Sequence, residues 1–155
     1  MAEFEVVRSA VITAEPTRVR KLIDDFHEWT KWSPWEDLDP QIQRSYSGAA
    51  SGVGARYAWS GNRKAGAGSM EIVASAEHEI GVRLRFLKPM KATNQVTFTL
   101  DPVETGTEVT WRMSGQQSGL MGLVGKFIPM DKLVGKDFEK GLARLQQAAA
   151  SAETP

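Results

Sequence analysis

Three polar side chains stand where chemistry could happen. Counting by twos along candidate strands, Tyr57 keeps step with Trp59, Asn94 with Val96 and Phe98, and Arg8 with Phe4, Val6 and Ile12. A phenol can donate a proton, and an amide or guanidinium can polarise a carbonyl, so this set suits carbonyl chemistry in an enclosed site. Each also has a plainer reading, as a satisfied hydrogen-bonding group or a surface position. Arg8 is the least settled, because Val7 and Val11 compete for the inward face of its strand. His27 with Asp24 and Asp25 offers a base beside orienting acids. That trio ends a helix, where a cationic imidazole is favourable without catalysis, and no serine is placed to complete a triad. No inward carboxylate pair is visible, which counts against glycoside hydrolysis.

Other chemistries are excluded by absence. The 155 residues contain no cysteine and two histidines, His27 and His78, so thiolate nucleophiles and Cys- or His-rich metal cages are ruled out. Gly52-Val53-Gly54 and Gly66-Ala67-Gly68 follow no strand-to-helix pattern, so nucleotide binding is unsupported. Neither a metal nor a cofactor is expected.

What remains is an apolar set. Trp29, Trp32 and Trp35 crowd one loop, where they either pin it onto the core or roof a pocket; Trp32 and Trp35 are the candidates for the pocket edge. Tyr57, Trp59, Met70 and Phe86 share the dry faces of strands, as do Phe98, Trp111 and Met113. Taken singly each is ordinary core. Taken together these large, aromatic and sulfur-bearing side chains suit the wall of an adaptable cavity. Phe127, Phe138 and Gly141 complete the candidate binding residues.

The elements that must position them are legible. With 41% hydrophobic and 25% charged residues, the chain has the composition of one ordinary globular domain, expected over 1–150 with a frayed tail at 151–155. Nineteen basic residues balance nineteen acidic ones, which argues against a nucleic-acid binder. No apolar run approaches the roughly 20 residues of a membrane span, and no signal peptide is evident, so a cytoplasmic protein without stable membrane insertion is expected. Monomer and homodimer stay open.

A strand over Phe4–Ile12 leads to a helix opened by Pro16, with Val19, Leu22, Ile23 and Phe26 on one face and an end near His27. The segment from Trp29 to Trp35 reads as irregular because Pro34 forbids helix. Five alternating segments follow, centred on Tyr57/Trp59, Met70/Ile72/Ala74/Ala76, Val82/Leu84/Phe86, Val96/Phe98/Leu100 and Val109/Trp111/Met113, with glycine-rich turns between them. This is the pattern of an antiparallel sheet with one dry face. A short apolar segment, Leu120–Met130, precedes a long helix with Asp131 at its N-cap and Phe138, Leu142 and Leu145 on its stripe. A curved six- or seven-stranded sheet covered by that helix is the expected α+β architecture, and a cavity between sheet and helix follows if the two do not mesh. Gly135 and Gly141 interrupt the helix, each costing about 1 kcal/mol against Ala. Close packing on the sheet or room for a ligand would explain them.

The opening strand with Ala14-Glu15-Pro16, the run Trp29-Thr30-Lys31-Trp32-Ser33-Pro34-Trp35, Gly106-Thr107-Glu108-Val109-Thr110-Trp111 and Gly135-Lys136-Asp137-Phe138-Glu139-Lys140-Gly141-Leu142 resemble the polyketide cyclase/dehydrase-like branch of the START and Bet v 1-like (SRPBCC) superfamily. The resemblance spans essentially the whole chain and implies the helix-grip fold. It implies an internal cavity for a small hydrophobic or lipid-like molecule more strongly than it implies a reaction. A cyclase, aromatase or dehydratase of this type would use Tyr57 as proton donor and Asn94 or Arg8 to polarise a carbonyl. A regulatory interaction module is a further alternative. It draws on the segment Leu120–Met130, which reads either as a cap on the sheet end or as a movable lid over the cavity, and on the basic ridge Lys132, Lys136, Lys140 and Arg144, which reads better as a solvated face.

Overall fold

The computed structural model describes residues 2–35, 39–63, 65–88, 91–117 and 130–151. Strand β1 (Ala2–Ile12) leads through helix α1 (Pro16–Ile23) and a 3-10 helix (Phe26–Lys31) into six further strands. These are β2 (Gln43–Gly48), β3 (Ala55–Ser60), β4 (Ala67–Ala76), β5 (Glu79–Lys88), β6 (Ala92–Val103) and β7 (Gly106–Gln117), followed by helix α2 (Met130–Ser151). The sheet is antiparallel and runs β1-β7-β6-β5-β4-β3-β2. Its order makes β1 and β2 the edges, and this is the α+β architecture expected from the residue pattern. No helix among the described residues is long and apolar enough to cross a membrane.

Helix α1 starts at Pro16, whose missing N–H costs nothing in a first turn, and buries Val19, Leu22 and Ile23. It stops at Ile23, four residues short of His27, because Asp24 caps it and Asp25 starts the next element by accepting the His27 backbone N–H at 2.9 Å. The stretch expected to be irregular therefore begins inside a 3-10 helix. An ending helix leaves its last carbonyls unpaired. Two of them are met by tryptophan: the Trp29 indole N–H donates to Ile23 O and the Trp32 indole N–H to Leu22 O, both at 2.7 Å.

The register of β1 is settled by burial. Val6 and Ile12 are fully buried, Val11 is 46% exposed, and Arg8 shares the inward parity and stands opposite Trp111. In β4 the expected alternation breaks. A register shift between Ile72 and Ala74 turns the strand over, so Ala74 and Ala76 are exposed while Ser75, paired with buried Ile80, accepts from Arg20 of α1 at 2.7 Å.

Helix α2 begins at Met130, so Asp131 falls in its first turn rather than at its cap. It lies chiefly on β1 and buries Phe138, Leu142, Leu145 and Ala149. Both helix glycines are places of close approach. A Cβ on residue 135 would meet the Arg8 guanidinium, and one on residue 141 would lie 2.7 Å from the edge of Trp111 and 3.0 Å from Pro34. The notch at Gly141 is filled by protein. The expected gap between helix and sheet is closed along this line. Leu120–Pro129, including Phe127, lies outside the described residues.

Candidate functional site

The inward residues of neighbouring strands line up in rows. One runs Tyr46, Tyr57, Met70, Leu84, Asn94 and Gly115 across β2 to β7; the next, nearer the sheet end, runs Arg44, Trp59, Gly68, Phe86 and Ala92 across β2 to β6. The side chains shrink at Gly68, Ala92 and Gly115, and larger neighbours lean into the space left at the two glycines. Trp59 leans over Gly68, its ring where a Cβ on that residue would stand. The 29–35 segment then roofs this part of the sheet.

The result is a cavity of about 240 Å³ over β3–β5. Buried Trp29 and Ser33 line it from the roof, buried Tyr57, Leu84 and Met113 from the floor, and its rim is half-buried Trp35, Ile42, Trp59, Ala65, Met70, Phe86 and, from the first turns of α2, Val134. The hollow thus sits beside the main helix contact rather than under it. Its three tryptophans show ring faces, because each N–H is already bonded. Trp29 donates to Ile23 O, Trp59 to Ala65 O at 2.9 Å, and Trp35 to the Asp137 carboxylate at 3.2 Å. Two hydroxyl-bearing residues, Ser33 and Tyr57, reach the wall. Among the described residues that line it, none is Asp, Glu, His, Lys or Arg.

Six of the candidate binding residues line the cavity: Trp35, Tyr57, Trp59, Met70, Phe86 and Met113. Trp32, Phe98, Trp111 and Phe138 do not. They are almost fully buried in an aromatic stack beside it, with Trp111 lying 4.1 Å from Phe138 and nearly parallel. Trp32 is the correction to the proposed pocket edge, and Trp29 takes the place by the cavity. Trp29 lies in the 3-10 helix and Trp32 caps its end three residues later, their rings 4.6 Å apart, so spacing alone could not rank them. Leu84 was readable from the alternation of β5. Ser33, Ile42, Ala65 and Val134 carry no signal that spacing reveals.

The three polar candidates are not gathered into one site. Tyr57 is on the cavity floor. Asn94 is buried behind Met113, its amide donating to the Met113 sulfur at 3.8 Å while its oxygen fills the space that Gly115 leaves. Arg8 lies under Gly135 and pairs with Glu139 at 2.8 Å. His27 and Asp25 do form a pair, Nδ1 to Oδ1 at 2.8 Å, but on the outside. The imidazole is stacked on Tyr46 in a shallow notch with Ser47 and Arg56, separate from the cavity. Burial, aided by neighbouring Asp25 and opposed by Arg20, raises the Asp24 carboxyl above its ordinary value. Of the basic ridge, Arg144 turns back to donate to Ser33 O at 3.1 Å, while Lys136 and Lys140 are exposed. Among the described residues no group of three or more His, Cys, Asp or Glu is placed to hold a metal ion.

Comparison with known proteins agrees with this architecture. No curated protein matches the chain. Among solved structures, protein CV1439 from Chromobacterium violaceum superimposes with a TM-score of 0.67 at 16% identity, covering 94% of this chain and 96% of the other. TTHA0849 from Thermus thermophilus gives 0.66 at 16% identity over 97% of this chain and 100% of its own. DynU16, from the dynemicin biosynthetic locus, gives 0.63 at 17% identity over 97% of this chain and 47% of its own. At these identities the likeness is one of fold. The family described as polyketide cyclase/dehydrase and lipid transport matches residues 3–150, and the chain belongs to that family.

Proposed function

We propose that this protein binds a small hydrophobic or lipid-like molecule in the cavity over β3–β5. The observation that carries the reading is the wall itself, an apolar hollow of about 240 Å³ whose tryptophan N–H groups are all engaged by protein acceptors. Such a surface rewards apolar area and ring stacking and offers a polar ligand little. A hole of about 150 Å³ lined by apolar side chains takes up benzene, so this one suits a ligand of two or so fused rings, or a bent chain of similar volume. The family's own description joins cyclases with lipid transport, and both activities need such a hollow. Between them we take the binding reading. A cyclase would have Tyr57 and Ser33 as the hydroxyls of the wall, without Arg8 or Asn94 beside them.

The test is a titration of the full chain with neutral fused-ring and medium-chain compounds, followed by quenching of tryptophan emission. Saturable, one-to-one quenching that tracks ligand volume is expected. If no compound in the size range saturates, the hollow is not a binding site and the proposal is wrong.

A further inference from the structure

The rim of the cavity lies at one end of the sheet, where the β3–β4 and β5–β6 turns emerge. Arg63 stands in the first turn, two residues before Ala65 of the rim. Lys88 ends β5 two residues beyond Phe86, and Lys91 precedes Ala92, the register partner of Phe86. All three are exposed, and none forms an ion pair with any described residue. On the outer sheet face Arg85 is likewise exposed without an ion pair to a described residue, while its neighbours there are paired. Arg56 and Arg83 share Glu71, and Arg112 meets Glu5.

Among the described residues two carboxylates, Asp39 and Asp137, lie near the same rim, and both accept hydrogen bonds. Asp39 accepts the backbone N–H groups of Gln41 and Asn62, and Asp137 accepts the Trp35 indole. At the opposite end of the sheet the turns carry Glu77, Glu79 and Glu104 instead. Among the described turn residues, the exposed cations Arg63 and Lys91 thus stand at one end of the sheet and the acids Glu77 and Glu104 at the other.

From this, and resting on the binding reading above, we propose that the ligand is an amphiphile with an acidic head. Its rings or chain fill the cavity, and its carboxylate, sulfonate or phosphate sits at the rim among Arg63, Lys88 and Lys91. The arrangement divides the work by chemistry. The dry wall accepts only the apolar part, and the cations at its edge, which have no ion-pair partner among the described residues, meet an anion that need not be desolvated, so its charge is not penalised by burial. The cations also draw anionic ligands to this end of the molecule before contact, over a range that salt shortens to about 8 Å at physiological strength.

The test uses two fluorescent probes of the same ring system, anilinonaphthalene sulfonate and its uncharged parent phenylnaphthylamine, titrated against the full chain. The sulfonate is expected to bind roughly tenfold more tightly at low salt, with the gap closing in concentrated salt. In the combined variant Arg63→Glu, Lys88→Glu and Lys91→Glu, sulfonate binding should fall by about tenfold or more while the neutral probe stays within roughly twofold. Glu104→Lys, at the far end, should leave the gap intact. Equal binding of both probes by the unaltered chain overturns the acidic-head inference and leaves the cavity reading standing. Loss of both probes in the triple variant also overturns it, since shape rather than charge is then at stake. Binding of neither probe to the unaltered chain sinks the cavity reading, and this inference with it.

Discussion

Trp111 occupies the space that a side chain at Gly141 would need. The edge of its indole lies 2.7 Å from the Cβ position of residue 141, closer than real Cβ contacts come, and its face is stacked on Phe138 one turn earlier. The glycine therefore lets α2 close against the Trp111 side chain that rises from β7. What is left open lies to one side, over β3–β5.

Gly141→Ala should accordingly destabilise the protein, although alanine is the better helix former. Propensity returns about 1 kcal/mol, and forcing a methyl into Trp111 and Pro34 costs roughly 1–3 kcal/mol. A net loss of up to about 2 kcal/mol, or a fall of several degrees in Tm, is expected by thermal denaturation. Ligand affinity of the folded fraction should not change, because residue 141 is not on the cavity wall.

The two most buried tryptophans should respond differently to loss of their N–H. Trp32 donates to Leu22 O, a carbonyl at the end of α1, whereas the Trp111 N–H is buried without a partner among the described residues. Trp32→Phe strands a carbonyl; Trp111→Phe removes a donor that was already stranded. Both lose ring volume. The difference between the two should be about 1–3 kcal/mol in favour of Trp111→Phe, measured by urea denaturation.

The rows of inward residues were readable because β3 to β7 obey a period of two, and Tyr57, Trp59, Phe86 and Met113 fall on the wall for that reason. Where the period fails, reading fails with it. In β4 the bulge after Ile72 exchanges Ala74 for Ser75 on the inner face, and no residue type announces it. Strand β2 has Arg44 and Tyr46 in the inward rows, so an edge strand without an apolar alternation is invisible. The glycines of α2 told of something missing but not what filled it. Arg8 and Trp111 do so across 127 and 30 positions of sequence respectively, contacts that only the folded topology creates.

Asp24 gives a pH dependence whose direction follows from its burial. Its folded carboxyl holds the proton more tightly than the ordinary value of 3.8, so folding takes up a proton between that value and the raised one. Stability therefore declines as pH rises through this window and is level above it. Asp24→Asn removes the titration and the cost of burying the charge. The variant should be more stable than the parent at neutral pH, and the advantage should shrink as the solution is acidified through the same window. An advantage that stays constant with pH would show that the carboxyl is not desolvated in the folded state.

A wide side chain should behave oppositely in the cavity and in the aromatic stack beside it. Leu84 forms part of the cavity floor, next to Met70 in the row, with open space above it. Phe98 is fully buried and touched by the rings of Trp29, Trp32 and Trp111. In Leu84→Trp the added ring has the hollow to occupy, so stability should change by less than about 1.5 kcal/mol while binding of a neutral fused-ring probe falls more than tenfold. In Phe98→Trp the added atoms have no room, so stability should fall by roughly 1–3 kcal/mol with affinity in the folded fraction little changed. Thermal denaturation and probe titration on the same two variants read both quantities. Equal destabilisation in the pair would mean that the hollow over β3–β5 closes in solution, because only a filled space resists a ring as a solid core does.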